Sequence, residues 1–310
     1  MYTILINTII DENQYRVELA AACRDCDGIK KVRNTGQVRQ MGQSTVQVMF
    51  NGVLVPADGY CGSWMTDLIQ HSHGHHEPQE EKVFYEIVQR LPVSCVSIIE
   101  LGFYWAYYSA WLAKEKRNTT VICLEPDENN MNVGRKTFSV NHLSAHFVLG
   151  AIGKESKKRI AFTRSSDGKT VHIPLYTVSQ LAKKFHLKTI DILHVDTQGE
   201  EENVLNSIDD LVKNNRIRFI VLSTHHHSIS GSPLTHINCL DAIKTLGGHI
   251  IAEHSVYESF SGDGLIAASF FNQDKDFHVG ISYARNCQTF FVPPEQEIAF
   301  LTNTIKSQKI

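Results

Sequence analysis

Ile98-Ile99-Glu100-Leu101-Gly102-Phe103-Tyr104-Trp105-Ala106-Tyr107-Tyr108-Ser109 begins as an apolar run and turns at a glycine. A second run, Val121-Ile122-Cys123-Leu124-Glu125-Pro126, stops at an acid. Short apolar runs of this kind read as strands buried on both faces of a parallel sheet. A glycine after the first strand lets the backbone turn tightly and approach a ligand. An acid roughly 20 residues further on stands where a nucleotide-binding α/β unit holds a ribose. Two carboxylates at strand ends, on the rim of a sheet, suit a ligand that carries hydroxyls or positive charge.

Outward from this pair, strand and helix patterns alternate. Strands are predicted at 95–101, 120–125, 146–152, 190–195, 217–223 and 248–253, and helices at 104–116, 127–139, 177–185, 200–213 and 234–246. Such alternation predicts an α/β fold with a mostly parallel sheet and helices on both faces. Arg159 to Pro174 reads as a hairpin turning near Asp167-Gly168. Gly264–Phe271 and Val279–Tyr283 are strand-like with a short link, which predicts antiparallel edge strands. Upstream, a helix is predicted from Pro78 to Arg90, with proline in its first turn. Residues 1–76 lack the alternation and read as an accessory or cap region, with a hairpin turning at Asn51-Gly52, ahead of a domain at 77–310.

Composition narrows the function classes. Of 310 residues, 42% are hydrophobic and 20% charged, ordinary for a globular protein. A net charge of −3 gives no electrostatic footprint for nucleic acid. No apolar run is long enough to span a membrane. Met1-Tyr2-Thr3-Ile4-Leu5-Ile6-Asn7 lacks a basic flank and meets Asp11 and Glu12 at once, so it does not read as a secretory signal. The seven cysteines (Cys23, Cys26, Cys61, Cys95, Cys123, Cys239, Cys287) are odd in number, and several fall in predicted strands. They read as reduced thiols of a cytoplasmic protein.

Glu125 is the first candidate site residue. Its bland role would be to cap the next helix, but Asp127 is better placed for that. Glu125 is thereby left for a ribose diol. The predicted strand Ile190–Val195 ends in Asp196, followed by Thr197-Gln198-Gly199-Glu200-Glu201. Asp196 falls in the crevice where open α/β sheets bind ligands. Another strand ends in Thr224-His225-His226-His227. On an extended chain His225 and His227 share a side and His226 faces away. The cluster His71-Ser72-His73-Gly74-His75-His76 resembles a metal site but lacks a second ligand group at defined spacing, so it reads as a solvated loop; its adjacency to Glu77-Pro78 makes contact to cofactor or substrate the better functional reading. Cys23-x-x-Cys26 has no second such pair, which argues against a zinc ribbon.

Glu100-x-Gly102, Glu125-Pro126 and Asp196-x-x-Gly199-x-Glu201 together resemble the FkbM family of S-adenosylmethionine-dependent methyltransferases, over roughly residues 77–256. Two departures stand out. Phe103-Tyr104-Trp105-Ala106 replaces a small Gly-Ala-Asn-x-Gly turn, and Gln198 replaces an acid. The resemblance implies a class I methyltransferase domain with a Rossmann-like sheet. Its cofactor would be S-adenosylmethionine, held by Glu77, Glu100, Gly102, Tyr104, Glu125, Pro126 and Asp196. It also implies methyl transfer to an oxygen of a small-molecule or carbohydrate acceptor, such as a sugar or natural product. Asp196 and His225 would face the transferred methyl group. His225 is then a candidate base for the acceptor hydroxyl. Alternatively, Asp196, His225 and His227 hold a divalent metal that acidifies it. The N-terminal region is a candidate cap or homo-oligomer contact. Two rival readings are a nicotinamide-dependent oxidoreductase and a degenerate methyltransferase fold acting as a binding module.

Overall fold

The computed structural model describes residues 11–57 and 59–284. The opening run at Met1–Asn7 and Cys287 lie outside them. The chain begins with α1 (Glu12–Ala22), a small sheet of β1 (Val38–Met41), β2 (Ser44–Val48) and β3 (Leu54–Pro56), then α2 (Ser63–His71) and α3 (Pro78–Arg90). The alternating part follows: β4 (Ser97–Leu101), α4 (Tyr107–Glu115), β5 (Thr120–Glu125), α5 (Glu128–Val140), β6 (His146–Leu149) and β7 (Ala151–Ile152). After the hairpin β8 (Lys157–Thr163) and β9 (Thr170–Tyr176) come α6 (Val178–Lys184), β10 (Ile190–Val195), α7 (Glu201–Leu205) and α8 (Asp209–Lys213). The last elements are β11 (Ile217–Thr224), α9 (His227–Ser230), α10 (Thr235–Thr245), β12 (His249–His254) and β13 (Gly264–Ser269).

Seven strands form the central sheet in the order β12-β13-β11-β10-β4-β5-β6. β4 pairs in parallel with both β10 and β5. The strand order therefore reverses between β4 and β10, and the crevice at that switch point is where such sheets bind ligands. Successive side chains of each strand enter two different cores. Ile98, Val121, Ile192 and Phe219 join one cluster with α3, α4 and α5. Ile99, Ile122, Leu193 and Ile220 join the other with α6, α7, α8 and α10. Full burial of each such side chain contributes roughly 1.5–3 kcal/mol. A one-residue slip would exchange the two faces, so the register is firmly set.

The antiparallel part differs from expectation. Among the described strands of the central sheet β13 alone runs antiparallel, and it lies between β11 and β12 rather than at the edge. Val279–Tyr283 forms no strand. Its polar groups are taken elsewhere: Ser282 N and Oγ donate to Asp25, and Gln79 Nε2 donates to the Ser282 carbonyl. The predicted strand 146–152 breaks at Gly150, after which β7 pairs with β9 in a separate three-stranded sheet. The predicted helix 200–213 is two short helices. The helix predicted from 104 starts at Tyr107, because Tyr104 (φ 39°) and Ala106 (φ 57°) form a left-handed turn.

The N-terminal region is more ordered than its sequence pattern suggests. It contains α1 and α2 besides the expected hairpin, which turns at Gly52 (φ 79°). Val17, Cys26, Met49, Phe50, Met65 and Ile69 belong to the same buried cluster as Phe84, Trp111 and the first face of the sheet.

Candidate active site

The turn after β4 is fixed by one close approach. A Cβ on Gly102, which has φ 74°, would stand 1.7 Å from the Asp196 carbonyl oxygen. Asp196 N donates to the Leu101 carbonyl at 2.9 Å. The two strand ends at the switch point are thus in direct backbone contact, and only glycine fits there.

The aromatic residues of the turn go in different directions. Phe103 is buried against Phe147, with ring centroids 5.5 Å apart. Trp105 is buried and stacks on Tyr60 of the N-terminal region at 4.5 Å. Tyr104 is half-buried, with Tyr60 edge-on at 4.9 Å. Tyr60 therefore roofs this end of the crevice.

Glu125, at the end of β5, is 4% exposed. Its Oε2 accepts from Tyr104 N at 3.2 Å and its Oε1 from Asp127 N at 3.0 Å. Asp127 caps α5 through Asn129 N, as expected. Burial raises the Glu125 carboxyl to about 7, although the two amide donors oppose the rise. Each of its oxygens keeps a lone pair for a further donor. Pro126 lies partly exposed between Glu125 and the cap. Glu100 turns inward instead: it is 3% exposed and accepts from Ser109 N at 3.1 Å, so it secures the start of α4 rather than lining the crevice. Glu77 remains at the rim, where it pairs with His76 Nε2 at 3.0 Å and accepts from Tyr108 Oη at 3.2 Å.

His225 stands where three carboxylates converge. Its Nδ1 lies 3.0 Å from Glu201 Oε1, and its Nε2 lies 3.0 Å from Asp196 Oδ1 and 3.8 Å from Asp263 Oδ1. Burial alone would lower its pKa, but Asp263, Asp196 and Glu201 outweigh that and raise it well above the usual histidine range. The neighbouring carboxylates thus favour the imidazolium form, which disfavours a base role for the ring. Burial would raise Asp196, yet His225 overrides this and holds it below the ordinary carboxylate range. Asp196 Oδ1 is buried and accepts no hydrogen bond, the His225 nitrogen being near but not aligned. Asp263 shifts oppositely, to about 7: burial and the charges of Asp196, Glu77 and Glu80 outweigh the pull of His225. Glu201 also closes the Thr197–Glu200 turn by accepting from Gly199 N at 3.0 Å.

Three expectations are corrected here. β11 ends at Thr224, so the histidine triplet is not extended and the alternate-side rule does not apply. His226 caps α9, and the His227 ring packs on His226 at 4.0 Å. With both nitrogens of His225 facing carboxylates, Asp196, His225 and His227 make no ligand set; the grouped donors found among the described residues are elsewhere. His75 and His76 are not a solvated loop, each being 2% exposed.

Sequence reasoning missed Asp263, Glu201 as the partner of His225, and the pair of His194 with Glu80 at 2.8 Å. A lone acid between two glycines, Gly262-Asp263-Gly264, was the only available signal for the first.

The profile of the methyltransferase FkbM domain matches residues 75–251. A search of curated proteins finds no match. Among solved structures, the magnesium protoporphyrin IX methyltransferase ChlM from Synechocystis PCC 6803, with bound S-adenosylmethionine, shares 11% identity at TM-score 0.44. That alignment covers 85% of this chain and 99% of that one. An O-methyltransferase from Bacillus cereus in complex with S-adenosylhomocysteine shares 15% identity at TM-score 0.39, over 62% of this chain and 80% of that one. A methyltransferase from Aquifex aeolicus shares 13% identity at TM-score 0.36, over 62% and 89%.

Proposed function

Because the chain belongs to the FkbM methyltransferase domain family, we propose that it transfers a methyl group from S-adenosylmethionine to a hydroxyl oxygen of a small-molecule or carbohydrate acceptor. The residues present fit that cofactor on two counts. Glu125 is a buried carboxylate with lone pairs to spare at the position for a ribose diol. Asp196 Oδ1 is a buried acceptor without a donor, beside the acids Glu77 and Asp263, which suits a cationic amino acid and sulfonium. When bound, the cofactor supplies an already activated methyl group.

The chain's own task is then to place the hydroxyl in line and receive its proton. The observation that carries this reading is the arrangement around His225. The imidazolium keeps Asp196 ionised and aimed, as a hydrogen-bond acceptor for the incoming hydroxyl. Asp263, at about 7, has the pKa suited to taking a proton near neutrality. His225 is thus a positioning residue. Residues 1–76 act as a cap, with Tyr60 covering the turn at Tyr104–Trp105.

Calorimetry with S-adenosylhomocysteine and with NAD tests the cofactor. Labelled methyl transfer to a panel of hydroxyl, amine and carbon acceptors tests the rest. Binding of NAD but not S-adenosylhomocysteine would favour the oxidoreductase reading. Cofactor binding with label only on amines would overturn oxygen as the acceptor atom.

A further inference from the structure

The histidine cluster before α3 takes no part in the chemistry above, and its buried half meets a cysteine from far upstream. Cys26 lies in the turn after α1, His75 in the loop before α3 and Glu81 in the first turn of α3. One donor atom from each lies within 4.8 Å of the other two. The residues are 3%, 2% and 0% exposed respectively. Ligands around a tetrahedral zinc ion stand roughly 3.3–3.8 Å apart, so small rotations of these side chains would close the cage.

Two of the three donors are already in direct contact. His75 Nε2 is buried and has no hydrogen-bond partner. Its ring is held by stacking on Phe50 at 4.4 Å and by a contact from Nδ1 to Glu81 Oε2. Glu81 Oε1 takes His76 Nδ1 at 2.6 Å. The His75 nitrogen open to an ion that Glu81 also binds is therefore Nδ1, on the ring edge that faces the carboxylate.

We propose that Cys26, His75 and Glu81 form a structural site for a borderline divalent cation, zinc by preference. Thiolate and imidazole favour zinc over magnesium or calcium, which prefer all-oxygen cages. One thiolate and one carboxylate balance the ion's two charges, which leaves the site neutral in a dry core. Binding breaks the Cys26 S–H bond and forms the metal–sulfur bond. The thiol proton, now donated to the Pro78 carbonyl at 3.1 Å, passes to solvent, and the His75 proton moves from Nδ1 to Nε2 as Nδ1 takes the ion. The ion would tie the turn after α1 and the histidine loop to α3, fixing the cap to the sheet domain. His76, adjacent in sequence, links this cage to Glu77 at the crevice rim.

The test uses the full chain without a histidine tag. Elemental analysis should find about one zinc per chain, and chelation should lower the melting temperature until zinc is restored. Cobalt-loaded wild type should show thiolate charge-transfer absorption. Cys26→Ser should abolish both the band and the bound metal, while Cys61→Ser and Cys95→Ser should leave both unchanged. Three results overturn the proposal: a folded wild type that takes up neither zinc nor cobalt, cobalt binding without the thiolate band, or metal that follows Cys61 or Cys95. The first two need no variant, so a Cys26→Ser protein that does not fold cannot rescue the idea.

Discussion

Glu125 offers the sharpest test of the cofactor site. Its carboxyl is 4% exposed, bridges the Tyr104 and Asp127 amides, and is raised by burial to about 7 from 4.5. A ribose diol donates to the ionised form best. Between pH 6 and pH 8 the ionised fraction rises about tenfold for a group near 7, so affinity should rise about tenfold as well. Glu125→Gln should flatten that profile, and because the ligand's own amine titrates equally in both proteins, the difference isolates the carboxylate. Glu125→Ala removes charge-assisted hydrogen bonds of about 1.5–3 kcal/mol, or about 10- to 150-fold in affinity. The linkage to folding has a definite sign. A carboxyl raised in the folded state takes up a proton on folding between 4.5 and about 7. Its contribution is therefore full below the unfolded pKa and is lost as pH rises through the folded one. Relative to wild type, Glu125→Gln should gain stability as pH rises. The assay is titration calorimetry of S-adenosylhomocysteine at both pH values, with melts confirming the fold. A wild-type affinity flat across that range, together with a folded Glu125→Ala that binds equally well, would refute the reasoning.

Other outcomes follow from the same geometry. Gly102→Ala drives a methyl group into the Asp196 carbonyl at a positive φ, so it should lower the melting temperature and abolish cofactor binding; a variant with normal binding would mean the turn is wrongly placed. His225→Ala strands Asp196, Glu201 and Asp263 without a cation and should cost about 3–5 kcal/mol in urea denaturation. That deficit should shrink as acid protonates Asp196 and Glu201, whose folded pKa values are lowered; a deficit independent of pH would argue against the clamp. Deleting residues 1–76 uncovers Phe84, Ile87 and Trp111, so the remainder should lose cooperative unfolding and near-ultraviolet dichroism. A truncated chain that melts cooperatively would instead establish two separate domains.

The sheet was legible because its strands are buried on both faces. The limits of β5 and β10 and of α3 were read directly, since burial leaves continuous apolar runs with sharp polar ends. α1 escaped notice because it buries only Val17, Leu19 and Ala20, too short a stripe to show a period among its polar neighbours. Val279–Tyr283 looked like a strand on propensity alone. The competing pull of Asp25 and Gln79, more than 200 residues upstream for each pair, could not be seen in it. Among candidate site residues, Gly102, Glu125, Asp196 and His225 stood out in the sequence because each lies at a strand end on one rim. The nearness of Asp263 to His225, of Tyr60 to Trp105 and of Cys26 to His75 and Glu81 did not, since distant loops bring these residues together and neither spacing nor periodicity records that.

The reassignment of His225 follows from charge alone. A histidine at a strand end invites the role of base because its free pKa is near neutrality. A base, however, needs a lone pair, and a ring whose Nδ1 is bonded to Glu201 and whose Nε2 lies 3.0 Å from Asp196 is drawn towards its protonated form. The same arrangement that disqualifies the ring supplies the substitute. Asp196 is stabilised as an anion by the imidazolium. Asp263, at 3.8 Å, is pulled down by His225 as well, but burial and the charges of Asp196, Glu77 and Glu80 outweigh that and raise it to about 7. The two carboxylates are thus shifted in opposite directions, one towards a fixed anion and the other towards a group that holds a proton near pH 7. Under the proposed function, such a pair takes the acceptor's proton without a metal-bound water. Replacing Asp263 with Asn should therefore remove a pH-dependent limb near 7 from turnover while leaving S-adenosylhomocysteine affinity within a few fold, whereas Asp196→Asn should impair both.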